Sequence, residues 1–178
     1  GGPEPSVEEL RILKRAEQKG ILIIAAAGNE RSNIDLRKNA YYPASYGLSN
    51  IITVGAHDPK VELIASSNFG KLSVDIAAPG HQIRSAVPYN GAGVMTGTSQ
   101  ATAFVTGVVA LIKAQYPELK YNEVRNSILS SSRKFESLEG KILGAGKLDA
   151  KTALEIAENI ASNKEKQNRK VAQSQKIQ

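Results

Sequence analysis

The chain has 178 residues, 41% of them hydrophobic and 22% charged, with no cysteine and a formal charge of +6. This length and composition suit one ordinary globular core, and the lack of cysteine excludes disulfides and thiolate metal sites without fixing a redox compartment. The longest apolar stretch, Phe104 to Ala114, is broken by Thr106 and Lys113 and falls short of the roughly 20 residues that a membrane-spanning helix needs.

Gly1-Gly2-Pro3 leads directly into a capped helix and reads like the interior of a domain. Ser6-Val7-Glu8-Glu9 fits a capping box, after which Val7, Leu10, Leu13 and Ala16 recur at helical spacing until Gly20 supplies a stop. Ile21 to Ala27 is a short apolar run suited to a buried strand, and Asn50 to Ala56 is a second. Both are apolar on two faces, which predicts a parallel sheet covered by helices. A third strand is expected at Leu72 to Ile76. Loops are expected at Glu30 to Tyr46 and Ser66 to Lys71, and an irregular stretch from Pro79 to Thr96.

Three helices follow by pattern: Ser99 to Gln115, ended by Tyr116-Pro117; Asn122 to Ser130; and Asp149 to about Ile160. The first is apolar nearly all round and rich in small residues, so it is expected to be the buried central helix. Residues 163–178 hold five basic side chains and one acidic. This basic segment, 161–178, is expected to be a flexible tail beyond a domain at 1–160. It lacks aromatics for base stacking, so neither nucleic acid nor membrane is an expected partner.

Chemistry concentrates in two segments about seventy residues apart, Ala25-Ala26-Ala27-Gly28-Asn29-Glu30 and Gly97-Thr98-Ser99-Gln100-Ala101. The first delivers an asparagine amide at the C-terminal end of a strand; the second places a hydroxyl where a helix begins. A serine at such a place most often caps the helix, and an asparagine after a strand most often makes a turn. Paired, they offer a nucleophile and a donor for an oxyanion, the equipment of acyl transfer. Two glycine-rich segments are near misses. Gly91-Ala-Gly-Val-Met-Thr-Gly97 has one residue too many for a dinucleotide fingerprint, and Gly140 to Lys147 lacks phosphate-loop spacing and the following Ser or Thr.

The order and spacing of these segments resemble the subtilisin-like serine proteases, specifically the C-terminal half of their catalytic domain. The resemblance runs from Gly1 to about Ile160. It rests on Ala25-Ala-Ala-Gly-Asn29, Tyr42-Pro43-Ala44, Ile52-Thr-Val-Gly-Ala56, Ser66-Ser-Asn-Phe-Gly70, Asp75-Ile-Ala-Ala-Pro-Gly80 and Gly97-Thr-Ser-x-Ala101 with Gly107. It implies an α/β fold, part of a three-layer parallel-sheet domain lacking its N-terminal strands. It also implies a serine endopeptidase working through an acyl-enzyme at Ser99, with Asn29 and the Ser99 N–H as oxyanion donors. The pocket for the residue before the scissile bond would involve Ala26, Ala27, Gly28, Glu30 and Tyr41, and Tyr41, standing where a small residue is usual, would make it shallow.

Triads of this type run Asp, His, Ser along the chain, so the first two members are expected upstream of Gly1. Neither His57 nor His81 lies in a matching motif. The chain alone is therefore expected to be inactive. Its expected partners are a peptide or protein substrate and either a complementary N-terminal segment or a second copy, since the strand from Ile21 would otherwise be a bare sheet edge. Gln100, Ala103 and Phe104 depart from the family's Met, Pro and His. No catalytic cofactor or metal is expected; carbonyls near Ala44 and Tyr46 resemble a weak structural calcium site in some relatives. The family setting suggests a secreted or cell-envelope protein. The alternative is a non-catalytic peptide-binding or scaffold module derived from such a protease.

Overall fold

A computed structural model describes residues 1–175. Helix α1 (Val7–Gln18) begins as the capping pattern requires, with the Glu9 N–H donating to Ser6 Oγ at 3.2 Å. The reciprocal half of the box is made by another residue: the Ser6 N–H donates to the Tyr46 hydroxyl, which lies 2.8 Å from Glu9 Oε2. Leu10, Leu13 and Ala16 are half-buried, but Val7 lies outside the packed face and is exposed. Gly20, at φ +74°, turns the chain into β1 (Ile23–Ala26).

Strand β2 (Ile51–His57) is buried at all seven positions and pairs in parallel with β1, Ile23 opposite Ile51. On its other side lies β3 (Ile76–Pro79), also parallel, with Val54 opposite Ile76. The third strand therefore starts where the sequence expectation ended it. Leu72 is 73% exposed, and its N–H and that of Ser73 are taken by the Asp35 carboxylate, so the segment turns before it can join the sheet.

The expected irregular stretch contains a hairpin, β4 (Ile83–Val87) against β5 (Gly91–Met95). Its tip, Pro88-Tyr89-Asn90, puts Tyr89 and Asn90 in the left-handed region. Asn90 enters that region readily, whereas Gly91 does not share it and opens β5. Helix α2 (Thr98–Gln115) and helix α3 (Tyr121–Ser130) follow. Two-residue strands β6 (Arg133–Lys134) and β7 (Gly146–Lys147) complete a five-stranded sheet of order β1-β2-β3-β7-β6.

Helix α4 runs from Ala150 to Gln175, well past the expected end near Ile160. The Lys164 ammonium holds it to α3, 2.8 Å from Glu123 Oε2, and Glu165 and Arg169 form an i,i+4 pair beyond. The basic segment is thus helical through Gln175; residues 176–178 of the expected tail lie outside the described residues.

Alternation along β2 divides the apolar core in two. Ile52, Val54 and Ala56 point to the face covered by α2, α3 and α4, where they meet Ala101, Val105, Ile112, Val124, Ile128 and Ala157. The opposite face packs Ile34, Val74, Ala77, Leu138 and Ile142 beneath loops and single helical turns. Helix α2 is less enclosed than its composition predicts. Ala101, Val105, Val108 and Ile112 are buried, whereas Phe104 and Leu111, two turns apart, are 44% and 57% exposed.

Candidate active site

The site forms at the carboxyl ends of β1 and β3, where open parallel sheets place their ligands. After β3 the chain turns at Gly80. A Cβ there would stand 2.5 Å from the Ala56 Cβ and 2.7 Å from the Gly97 carbonyl oxygen, so only glycine permits this approach. The Gly80 N–H donates to the His57 carbonyl at 3.0 Å and the Gly97 N–H to the Gly80 carbonyl at 2.8 Å. These two bonds fasten the start of α2 to the sheet.

Gly97 is the N-cap of α2 and supplies no side-chain cap. The cap comes from β1's loop. Asn29 Oδ1 accepts the Thr98 N–H at 2.9 Å, and the Thr98 hydroxyl donates to the same oxygen at 3.2 Å. Ser99 follows in the first turn with an exposed side chain. Its N–H has no helical carbonyl to bond, as holds for the first four residues of any helix. The carboxamide of Asn29, its oxygen occupied by Thr98, keeps its NH2 as the remaining donor. An exposed serine hydroxyl, a first-turn N–H and a carboxamide donor are therefore grouped at the positive end of one helix.

Of the expected pocket residues, Ala27 and Gly28 are buried, Ala26 half-buried and Glu30 exposed. Gly28 has φ +100°, and a Cβ on it would collide with Asn68 Nδ2 and meet Glu30 Oε2 at 2.5 Å and Tyr41 Cδ1 at 3.1 Å. Tyr41 thus lies across Gly28. Burial first, and the Glu30 charge second, raise its phenol above the ordinary range. The sequence reading missed Asn68, whose side chain bonds Ala27, Glu30 and Ser32. The signal was available in Ser66-Ser-Asn-Phe-Gly70, a polar turn too rich in side-chain hydrogen-bonding groups to be only a connection.

Neither histidine hydrogen-bonds to Ser99. His57 is buried with Nδ1 2.7 Å from the Asp58 carbonyl, and His81 is exposed in the turn before β4. Beside Ser99, the apolar side chains of Phe104, Val108 and Leu111 line an open groove of about 630 Å³ together with Ile83 of the hairpin.

The expected cation position lies near a second cavity of about 370 Å³ lined by Ala44, Ser49, Thr53, Asp75 and Arg125. The Ala44 carbonyl accepts the Thr53 hydroxyl at 3.3 Å, and the Asp75 carboxylate is taken by Arg125 at 2.7 Å and the Thr53 N–H at 2.8 Å. Tight calcium sites gather several uncommitted oxygens. A lining carboxylate already matched by a guanidinium does not fit one.

A sequence profile of the subtilase family matches residues 1–170. The chain belongs to the subtilase family. It is 35% identical over 163 residues to the major intracellular serine protease of Bacillus subtilis (strain 168), covering 92% of this chain and 46% of that protein. It is also 35% identical over 132 residues to subtilisin DY of Bacillus licheniformis, covering 74% and 47%. Among solved structures, that of the subtilase cytotoxin SubAB assembly superposes with a TM-score of 0.78 at 28% identity, over 89% of this chain and 57% of that one. The A-subunit of the AB5 toxin from E. coli gives 0.75 at 30% identity, over 88% and 58%. The chain spans about half the length of the curated relatives it matches. A subtilisin-like fold and membership of a serine protease family are thereby established.

Proposed function

We propose that this chain is the nucleophile-bearing half of a serine endopeptidase, in which Ser99 forms the acyl-enzyme and an upstream segment supplies the histidine base and its aspartate. The observation that carries the reading is the bond from the Thr98 N–H to Asn29 Oδ1. It holds a carboxamide donor beside the one serine at the start of α2. On attack, the Ser99 oxygen would bond to the scissile carbonyl carbon while the base takes its proton. Charge would then develop on the carbonyl oxygen, where the Ser99 N–H and Asn29 NH2 stabilise it most in the transition state.

Among the described residues no base hydrogen-bonds to Ser99, so on this reading activity requires the complementary segment. That segment would also cover the free edge of β1 and the Phe104–Leu111 groove, which a lone chain exposes. Tyr41 across Gly28 supports a shallow pocket and a small residue before the scissile bond. Any cation near Ala44 and Tyr46 would be weakly held. The Bacillus subtilis relative is named as intracellular, so resemblance alone does not assign a compartment.

A fluorophosphonate probe tests the central claim. In the intact protein, with the segment upstream of Gly1 present and the fold verified, the probe is expected to label Ser99 and to lose its target in Ser99→Ala. A folded protein that takes no label would replace the enzyme reading with a peptide-binding module.

A further inference from the structure

Asn68 is 1% exposed, yet all of its side-chain hydrogen-bonding capacity is directed at the loop that carries Asn29. Its Oδ1 accepts the N–H of Glu30 at 3.0 Å and of Ser32 at 2.9 Å. Its Nδ2 donates to the Ala27 carbonyl at 2.9 Å and to Glu30 Oε2 at 2.6 Å. The Asn68 backbone N–H adds a bond to the Gly28 carbonyl at 2.9 Å. Residues 27, 28, 30 and 32 are thus held by one side chain and its own N–H, and Asn29 stands in the middle of the set. An asparagine has two donor hydrogens and two acceptor lone pairs. All four are used here, so neither a carboxylate nor an apolar side chain can replace it.

The bracket has a rigid base. The Ala56 N–H of β2 donates to Ser67 Oγ at 3.1 Å, and that hydroxyl donates to the Asn68 carbonyl at 2.8 Å. Phe69 N–H bonds to the Ser32 carbonyl at 3.0 Å, pairing the two loops further. Gly28 completes the fit, because a Cβ there would occupy the place of Asn68 Nδ2. Asn29 is consequently fixed from two sides, through its main chain by Asn68 and through its carboxamide oxygen by Thr98.

We propose that Asn68 is a positioning residue for the oxyanion donor, acting through the main chain on either side of Asn29 and never touching the reacting atoms. The inference rests on the reading of Ser99 and Asn29 as nucleophile and donor. A donor must sit within a few tenths of an ångström of the developing charge, and a free loop could not hold it there.

The test uses the intact protein and two readouts: hydrogen exchange of residues 28–32, and the rate at which Ser99 takes a fluorophosphonate. In the wild type, the Glu30 and Ser32 amides should exchange as slowly as strand amides; free-loop rates would overturn the bracket without any variant. Asn68→Ala should speed exchange there about 10-fold or more, and slow maximal labelling about 10²-fold, the cost of displacing a catalytic group by about 1 Å. The probe concentration at half-maximal rate should change little. Asn68→Asp keeps the shape but sets a carboxylate against Glu30, and should behave like Asn68→Ala. Asn68→Asp combined with Glu30→Gln restores one donor–acceptor pair and should recover part of the rate. Ile128→Ala, in the core on the other face of the sheet, serves as a comparison, since a cavity there raises exchange without selecting residues 28–32. Wild-type exchange and labelling in folded Asn68→Ala would refute the proposal. Slow exchange at residues 28–32 in a wild type that takes no label would leave the bracket standing and remove the catalytic reading instead.

Discussion

The carboxamide oxygen of Asn29 caps helix α2 from 69 residues away, accepting the Thr98 N–H at 2.9 Å. Its oxygen thus serves the fold, while the proposed function gives its nitrogen a role in the chemistry. Asn29→Asp separates the two. The carboxylate still accepts from Thr98 and adds a negative charge at the positive end of α2, so the unfolding midpoint should hold or rise. The NH2 donor is lost and a repulsive charge faces the oxyanion. Turnover of the intact protein should fall about 10²–10³-fold, the known cost of losing one oxyanion-hole donor in subtilisin. Peptide-substrate kinetics alongside thermal denaturation read both effects.

Tyr41 lies across Gly28 and beside the Glu30 carboxylate, and under the proposed function it fills space for the residue before the scissile bond. Tyr41→Gly should open the pocket. In a peptide library presented to the intact enzyme, wild type is expected to favour small residues before the scissile bond, and Tyr41→Gly to extend acceptance to aromatic ones. A gain of about 10-fold or more in kcat/KM for a large residue is the expected size, from the apolar area newly buried. A wild type already preferring large aromatics would show that Tyr41 moves aside on binding.

Arg125 and Asp75 form a pair with unequal consequences. Burial pushes the Asp75 carboxyl up, opposed by the Thr53 N–H and the Arg125 charge. Removing the guanidinium leaves a mostly buried carboxylate without its counter-charge; removing the carboxylate leaves an arginine that is 30% exposed and can turn to water. Arg125→Met should therefore cost about 2 kcal/mol and Asp75→Asn about 1 or less, below the full penalty for a deeply buried pair. Urea unfolding of the two variants and the double variant gives the order. An acid whose folded value is raised is more readily protonated when folded, so Asp75 by itself lowers stability as pH rises from about 4.

Much of this architecture is legible in the residues, because β2 is buried on both faces and its seven positions, Ile51 to His57, spell that out. Ser99 and Asn29 were recognisable as a pair only through the motifs around them. Their spatial link runs through Thr98, and a bond across 69 residues has no local signature. Asn68 went unread for the same reason, since its partners at 27, 30 and 32 are distant in sequence. The third strand was displaced because Asp35 captures the N–H groups of Leu72 and Ser73, a tertiary contact that overrides a strand-like run. The hairpin has a weak local signature because the glycines at 91 and 93 dilute the strand pattern of β5 and its left-handed turn residues are Tyr89 and Asn90.

His57 closes β2 with 5% of its surface exposed, Nδ1 on the Asp58 carbonyl and Nε2 without a hydrogen-bond partner among the described residues. Burial is the chief cause that holds its basicity below the ordinary imidazole value; the Asp58 carbonyl opposes this, and the Lys147 charge adds to it. The folded protein keeps the ring neutral to a lower pH than the unfolded chain, which takes up a proton at about pH 6.5. Below that pH the unfolded state binds more protons, so stability must fall, at a slope of up to about 1.4 kcal/mol per pH unit for one site. The loss continues until the folded ring itself protonates, then levels off. His57→Val retains the packing and removes the titration. The difference in unfolding free energy between wild type and variant, measured from pH 7.5 to 5, should swing in favour of the variant as pH falls. A constant difference would mean that water reaches Nε2 in the folded state. Because the His57 carbonyl receives Gly80, and Gly80 receives Gly97, early acid loosening should also show in faster amide exchange at Gly80 and Gly97, before the α3–α4 contact opens.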